Sequence, residues 1–138
     1  MSNNFWGDLS NIEKTKNPLN ILKEQSGYLL SATNNLIYAE LRNRNRDPFS
    51  TDPNCEFITV YSLKSKMMDK YEFQLFTLYY DVVFYPMYIE VDSNIREKLR
   101  LDEYHMVKNE GEFLELLKKI LDNEFTKSVI SSLYVMSK

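Results

Sequence analysis

The sequence predicts an α+β fold with an N-terminal helix, a four-stranded, mainly antiparallel meander sheet, and two or three C-terminal helices. Residues 57–91 contain three consecutive extended segments that are rich in aromatic and β-branched residues, which favour strands. The residues before and after this stretch carry apolar side chains at helical spacing. Helices that flank a block of consecutive strands are typical of the α+β class.

The chain divides into a flexible lead-in, residues 1–16, and a single α+β domain, residues 17–138. A length of 138 residues fits one domain with one hydrophobic core. Within the lead-in, Phe5, Leu9 and Ile12 share the spacing of a helical face. We therefore expect a short helical turn that docks on the domain through Trp6.

The first helix is predicted to begin at Asn17-Pro18, because Asn is a good N-cap and proline is tolerated in the first helical turn. The polar run Thr33-Asn34-Asn35 ends it. Residues 36–42 (LIYAELR) then alternate between apolar and polar, which predicts a half-buried strand, with a continued helix as the alternative. Residues 43–56 have the composition of a loop.

Three further strands are predicted in residues 57–91. Residues 57–63 (FITVYSL) are apolar on both faces, which indicates a central strand. In residues 71–80 (YEFQLFTLYY) the apolar parity changes between Leu75 and Phe76, which predicts a β-bulge. In residues 83–91 (VFYPMYIEV) the odd positions from Val83 are apolar, and Pro86 within the strand predicts an edge position.

The C-terminal part is predicted to be helical. Residues 92–108 are highly charged and hold one short helix, and Asn109 with Glu112 forms a capping box for the next helix. The core-facing residues of that helix follow the i, i+3, i+4, i+7, i+8 pattern: Phe113, Leu116, Leu117, Ile120 and Leu121. A last helix, about 125–136, is predicted to bury Phe125, Val129, Leu133 and Met136.

Composition argues against several functional classes. The net charge of −3 and the pI of about 5.2 disfavour general nucleic-acid binding, which needs a basic surface. Cys55 is the only cysteine, so the chain cannot form an intrachain disulfide or a multi-thiolate zinc site. The N-terminus lacks the features of a signal peptide, and no apolar stretch approaches the length of a membrane helix. We expect a cytoplasmic protein without a membrane segment.

Motifs for catalysis or cofactor binding are weak. Cys55 and His105 would be the only cysteine–histidine pair, and His105 has no second histidine with which to bind a metal. Glu40, Asp81 and Glu90 lie at or near strands, but a solvated outer sheet face accounts for them. The sequence contains no Walker loop, dinucleotide-binding fingerprint or nucleophile elbow. We therefore predict no catalytic residue, cofactor or metal ligand, and no enzymatic activity.

Three groups of residues are candidates for an interaction surface. A basic run could bind phosphate or an acidic partner, and the alternative is a solvated loop. An acidic helix face could meet a basic partner, and tyrosine favours interfaces because it combines large area with a hydroxyl group. The candidates are Arg42, Arg44 and Arg46 for the basic run, Glu112 and Glu115 for the acidic face, and Tyr79, Tyr80, Tyr85 and Tyr88 for the tyrosine cluster.

Five segments together carry a resemblance: NPLNILKEQSGYL, LIYAEL, LFTLYYDVVFYPMYI, EFLELLKKIL and the final SSLY. This pattern resembles a family of small bacterial α+β proteins of unknown function, which share an N-P-x-x-x-L-x-E-Q helix start, an aromatic strand pair and a C-terminal helical pair. The resemblance spans about residues 17–136. It implies an α+β fold, and it brings no catalytic residue or ligand.

These observations lead to a functional hypothesis and an alternative. The hypothesis is a non-enzymatic bacterial module that binds another protein, as an immunity or antitoxin-like partner of a basic toxin or as a homo-oligomeric accessory protein. The alternative is a small-ligand-binding protein or a cryptic enzyme with a tyrosine-lined pocket. A flat, exposed aromatic patch would favour the hypothesis. A concave pocket near Tyr80, Asp81 and Tyr85 would favour the alternative.

Overall fold

The computed structural model describes residues 3–10, 12 and 17–138. Within these residues the chain forms four helices: α1 (Pro18–Ala32), α2 (Ser93–Leu99), α3 (Glu110–Leu121) and α4 (Glu124–Ser137). The same residues form five strands: β1 (Ile37–Asn43), β2 (Phe57–Ser65), β3 (Met68–Tyr80), β4 (Met87–Val91) and β5 (His105–Val107). The chain is therefore α+β, as the sequence predicts.

The five strands form one antiparallel sheet in the order β1-β2-β3-β4-β5. The first four strands form a meander, but the prediction of only four strands is wrong, because β5 joins the sheet after α2. β5 contains only three residues and lies in the charged connector, where no alternating apolar pattern marks it. It pairs with β4, so β4 is an inner strand and the edge position predicted from Pro86 is also wrong.

Pro86 does not interrupt a strand, because β4 begins one residue after it, at Met87. Val83, which the alternating pattern placed on the buried face, is 75% exposed and lies in the connection between β3 and β4. Met87, Ile89 and Val91 are buried as predicted. The apolar alternation is therefore correct only over the five residues of β4 itself.

The predicted β-bulge is present in β3. Tyr61 of β2 pairs with Phe76, whereas the next residue, Ser62, pairs with Gln74, so Leu75 is the extra residue. Both Leu75 and Phe76 are fully buried. The bulge therefore keeps the apolar residues on both sides of it directed at the same core.

All four helices contribute to a core on one face of the sheet. Asn17 caps α1 through its side chain, which accepts a hydrogen bond from the Asn20 N–H at 2.9 Å. Asn109 caps α3 in the same way through the Glu112 N–H, but the Glu112 carboxylate accepts from the Lys108 N–H rather than completing a capping box with Asn109. The most deeply buried apolar residues of the helices are Leu22, Ile95, Phe113, Ile120 and Leu133.

Two predictions about the chain ends differ from the structure. Met136 is 62% exposed, and Ser137 is buried in its place. Residues 3–10 form neither a helix nor a strand, and Trp6 is 82% exposed, so the predicted docking through Trp6 does not occur. The rest of the predicted lead-in, residues 1–2, 11 and 13–16, lies outside the described residues.

Among the described residues, no helix combines the length and the apolar character that crossing a membrane requires.

Candidate functional site

The face of the sheet opposite the helices carries a cluster of polar side chains. The register places Tyr79 of β3 beside Tyr88 of β4, and Glu90 follows two residues later on the same face. Tyr79 is fully buried, although helices α1 to α4 contribute their core residues to the other face. Its hydroxyl accepts a hydrogen bond from Arg44 Nη2 at 2.9 Å and donates to Glu90 Oε1 at 2.7 Å.

Asp52 connects this cluster to the loop of residues 44–56. Arg44 Nη2 lies 3.2 Å from Asp52 Oδ2, and the Tyr104 hydroxyl donates to Asp52 Oδ1 at 3.2 Å. The rings of Tyr79 and Tyr104 meet edge to face, with 5.6 Å between their centroids. We name these residues the outer-face cluster: Arg44, Asp52, Tyr79, Glu90 and Tyr104. The cluster fastens the loop to β3, β4 and the segment before β5.

The ionisation states of the outer-face cluster favour a structural role. Burial raises the pKa of Tyr79 well above its usual range, and the hydrogen bond to Glu90 and the charge of Glu90 add to this effect. Burial opposes ionisation of Asp52, but hydrogen bonds from Ser50 and Tyr104 and the charge of Arg44 outweigh it and lower the pKa of Asp52. Near neutral pH the cluster thus holds a neutral tyrosine beside the Arg44–Asp52 ion pair.

The lowered pKa of Asp52 predicts a pH dependence of stability. Its pKa is below the ordinary value of 3.8, so its contribution is complete above that pH and is lost as the pH falls through the folded-state pKa. We expect chemical denaturation between pH 7 and pH 3 to show a smaller stability loss for Asp52→Asn than for the unchanged chain. Equal losses of unfolding free energy in the two proteins over this pH range would contradict the prediction.

Beside this loop lies a groove of about 680 Å³, which we name the loop groove. Residues 51 and 53–56 form one wall, and residues 81–83, 85, 86 and 88 form the other. Its charged side chains are both acidic, Glu56 and Asp81, and Asp81 Oδ1 accepts a hydrogen bond from the Glu56 N–H at 2.8 Å, which joins the walls. Val82 and Val83, on the second wall, are 68% and 75% exposed.

The structure separates the four candidate tyrosines. Tyr79 and Tyr80 are buried, and the Tyr80 hydroxyl shares a hydrogen bond with Thr59 at 2.8 Å, so neither ring is available on the surface. Tyr85 and Tyr88 are half-buried and line the loop groove. Burial, followed by the charge of Glu110, raises the pKa of Tyr85 to about 12. The four rings therefore do not form a flat aromatic patch, and two of them instead line a concave surface.

The other candidate residues are already engaged within the chain. Arg42 pairs with Glu72 at 3.1 Å, and Arg46 Nη2 donates to the Asp52 carbonyl at 3.4 Å. Arg44 belongs to the outer-face cluster, so the three arginines do not form an unpaired basic patch. Glu112 accepts from the Lys108 N–H, and Glu115 pairs with Lys119 at 3.7 Å on the exposed side of α3.

Cys55 and His105, the cysteine–histidine pair considered from the sequence, lie on different elements of the fold. Cys55 lines the loop groove, and burial, followed by the charge of Asp81, raises the pKa of its thiol, which disfavours the reactive thiolate. His105 lies on β5 opposite Ile89. Within the described residues, no three potential metal ligands among His, Cys, Asp and Glu lie close enough together to hold an ion.

Sequence reasoning missed Asp52 and Tyr104, which complete the outer-face cluster. Asp52 lies in a polar loop, and Tyr104 lies in a charged connector 52 residues later in the chain. Neither has a local pattern that distinguishes it from a solvated residue.

The chain matches no protein-family model, and neither the curated proteins nor the solved structures contain a significant match to it.

Proposed function

We propose that this chain is a non-enzymatic interaction module that binds another protein through the loop groove. The observation that carries the proposal is the exposure of Val82 and Val83 on the wall of a groove that also contains Tyr85 and Tyr88. Exposed apolar side chains beside half-buried tyrosines are typical of protein interaction surfaces, where aromatic rings supply much of the binding energy.

The shape of the loop groove supports a macromolecular partner. Most of its lining residues are exposed, including Thr51, Asn54 and Asp81, so the groove is open along its length. An open groove leaves much of a small molecule in water, whereas an extended peptide or a loop can fill it and continue beyond it. The Phe57 ring, 43% exposed, stacks on Tyr80, and Phe57 directly follows Glu56 of the groove wall in the chain.

The charges support a basic partner. Glu56 and Asp81 are the charged residues that line the loop groove, and the whole chain carries a net charge of −3. Complementary charge increases the association rate and discriminates against acidic partners. An immunity or antitoxin-like protein that masks a basic toxin in the bacterial cytoplasm would have these properties, and a homo-oligomeric accessory protein is the other form of the proposal.

Val83→Lys tests the groove directly. The side chain is 75% exposed, so we expect little change in folding stability, but a lysine ammonium buried against a basic partner should weaken partner binding by about tenfold or more. The tagged chain would be isolated at native expression level and its partner identified by mass spectrometry. The affinity of the purified pair would then be measured, with cross-links mapping the contact.

Val135→Lys is the matched control, since Val135 is 66% exposed on α4 and is absent from the groove lining. Equal binding by the unchanged chain and Val83→Lys would exclude the loop groove as the interface. Loss of binding in both variants would indicate a nonspecific effect of added positive charge.

The acidic face of α3, formed by Glu112 and Glu115, can be tested separately. Glu112→Gln with Glu115→Gln removes two negative charges, and glutamine at position 112 can still accept the hydrogen bond from the Lys108 N–H. If this face steers a basic partner, the double variant should associate more slowly in low salt and at an unchanged rate in high salt. An unchanged association rate in low salt would exclude the acidic face.

The concavity of the loop groove favours the alternative, a small-ligand-binding protein or a cryptic enzyme with a tyrosine-lined pocket. Its volume of about 680 Å³ lies within the range of small-molecule sites. Native mass spectrometry of the isolated chain distinguishes the two functions, since a small ligand would appear as a defined mass increment that Tyr88→Ala removes. Glu40→Ala and Asp81→Ala would then test the carboxylates for any activity found.

A further inference from the structure

A second groove lies on the helical side of the molecule, between α1 and α3. Its volume is about 420 Å³, and we name it the helix groove. Its apolar lining residues are Ile21, Leu114, Leu117 and Leu121, of which Leu114 is 42% exposed. Gln25, Lys118 and Asp122 complete the lining. The two helices therefore leave an apolar channel with polar margins instead of packing closely along their length.

The N-terminal segment, by which we mean Phe5 to Ile12, carries exposed apolar side chains that complement this groove. Four of its large apolar side chains are exposed: Phe5 at 93%, Trp6 at 82%, Leu9 at 51% and Ile12 at 65%. Scattered exposed apolar residues are ordinary, but four within eight positions are not. Phe5, Leu9 and Ile12 also have the i, i+4, i+7 spacing of segments that bind as amphipathic helices in apolar grooves.

We propose that the N-terminal segment of one copy docks in the helix groove of a second copy, so that two chains exchange segments. Each chain supplies one segment and one groove, and a two-fold exchange therefore satisfies both and closes the assembly. In the single chain the apolar side chains of the segment and Leu114 of the groove are exposed, as expected if their partner is another molecule. This contact involves neither wall of the loop groove, so the exchange of segments can be tested independently of the proposed function.

Lys118 offers one local charge contact for the same pairing. Asp8 is the only charged residue from Phe5 to Ile12, and the Glu13, Lys14 and Lys16 that follow in the sequence leave the N-terminal region close to neutral. Lys118 provides a positive charge on the helix groove. Asp122, the acidic residue of that groove, lies 2.7 Å from Lys127 Nζ, which compensates its charge. Lys118 is thus available to pair with Asp8 of a docked segment.

Trp6 makes the proposal measurable, because it is the only tryptophan in the chain. We expect sedimentation equilibrium to show a dimer. On dilution, the Trp6 emission should move to longer wavelength, and the concentration at its midpoint should equal the dimer dissociation midpoint from sedimentation. Leu9→Asp in the segment and Leu114→Glu in the groove should each raise the dimer dissociation constant by about tenfold or more. Val135→Glu, at an exposed residue of α4, should leave it unchanged.

Mixing the two weakened variants gives a sharper test. A Leu114→Glu chain retains an intact segment and a Leu9→Asp chain retains an intact groove, so a mixture should form a heterodimer with one intact contact. Leu9→Asp and Leu114→Glu act on the same contact, so their costs are not expected to add once that contact is lost. The heterodimer should therefore be tighter than either variant alone. Dimers that form equally well in all variants, or a mixture no tighter than its components, would overturn the exchange.

A monomer at all concentrations with fully solvent-exposed Trp6 emission would also overturn the proposal. A monomer whose Trp6 emission is shifted to shorter wavelength, and returns to longer wavelength in Leu114→Glu, would assign the groove to the segment of the same chain and overturn exchange between copies.

Discussion

Replacing Phe113 with alanine is expected to lower the free energy of unfolding by about 3–5 kcal/mol, the range for large aromatic truncations in protein cores. Phe113 is fully buried and belongs to the core cluster between α3 and the sheet. The substitution removes the apolar contact area of the ring and leaves a cavity that its neighbours can only partly fill. Urea denaturation with fluorescence or circular dichroism would measure the change.

Val135→Ala is the control for this prediction, because it also truncates an apolar helical residue, but one that is 66% exposed. We expect a change within about 0.5 kcal/mol, as for other surface substitutions. A similar small change for Phe113→Ala would show that α3 does not pack on the sheet in the manner described.

Local patterns predicted the elements whose own residues show which face is buried. In α3, the spacing of Phe113, Leu116, Leu117 and Ile120 identifies the buried face, and all four are buried. In β3, the parity change between Leu75 and Phe76 identifies the bulge. Both patterns depend on the period with which side chains of a helix or strand face the core, and this period can be read from the local sequence.

Local patterns did not predict β5 or the start of β4, because both depend on pairing with a neighbouring strand. His105–Val107 becomes a strand because β4 offers an unpaired edge, and three residues are too few to show a period. Pro86 appeared to lie inside a strand because apolar alternation continues to Val83, beyond the point where β4 pairs with β3. Hydrogen-bond pairing therefore sets these boundaries, and the pattern of apolar residues does not show it.

The candidate sites were less predictable than the fold. The sequence indicated Asp81, Tyr85 and the other tyrosines, and the structure places Asp81, Tyr85 and Tyr88 in one groove. It gave no sign that Arg44 and Asp52, eight residues apart, would both contact Tyr79 of β3. Such contacts depend on how a loop folds over a sheet face.

Replacing Arg44 with methionine is expected to destabilise the fold by about 1–3 kcal/mol, because it removes the cation between Asp52 and Tyr79 while keeping the aliphatic chain. Breaking a fully buried pair costs about 3–5 kcal/mol. Water can reach Arg44, whose side chain is 33% exposed, whereas that of Asp52 is 9% exposed, so a smaller cost is expected. Most of that cost should come from leaving the Asp52 carboxylate without its counter-ion.

A double-mutant cycle with Asp52→Asn tests this explanation. If the uncompensated carboxylate causes the loss, the double variant should be more stable than the sum of the single effects predicts, with a coupling of about 0.5–3 kcal/mol. Arg42→Met is the matched control, since Arg42 pairs with Glu72 and does not contact Asp52, and its effect should add to that of Asp52→Asn. Additivity for Arg44 as well would mean that Arg44 and Asp52 do not interact in solution. The loop wall of the groove would then be held mainly by Tyr104 and Tyr79, whose hydroxyl groups lie 3.2 and 3.3 Å from Asp52 Oδ1.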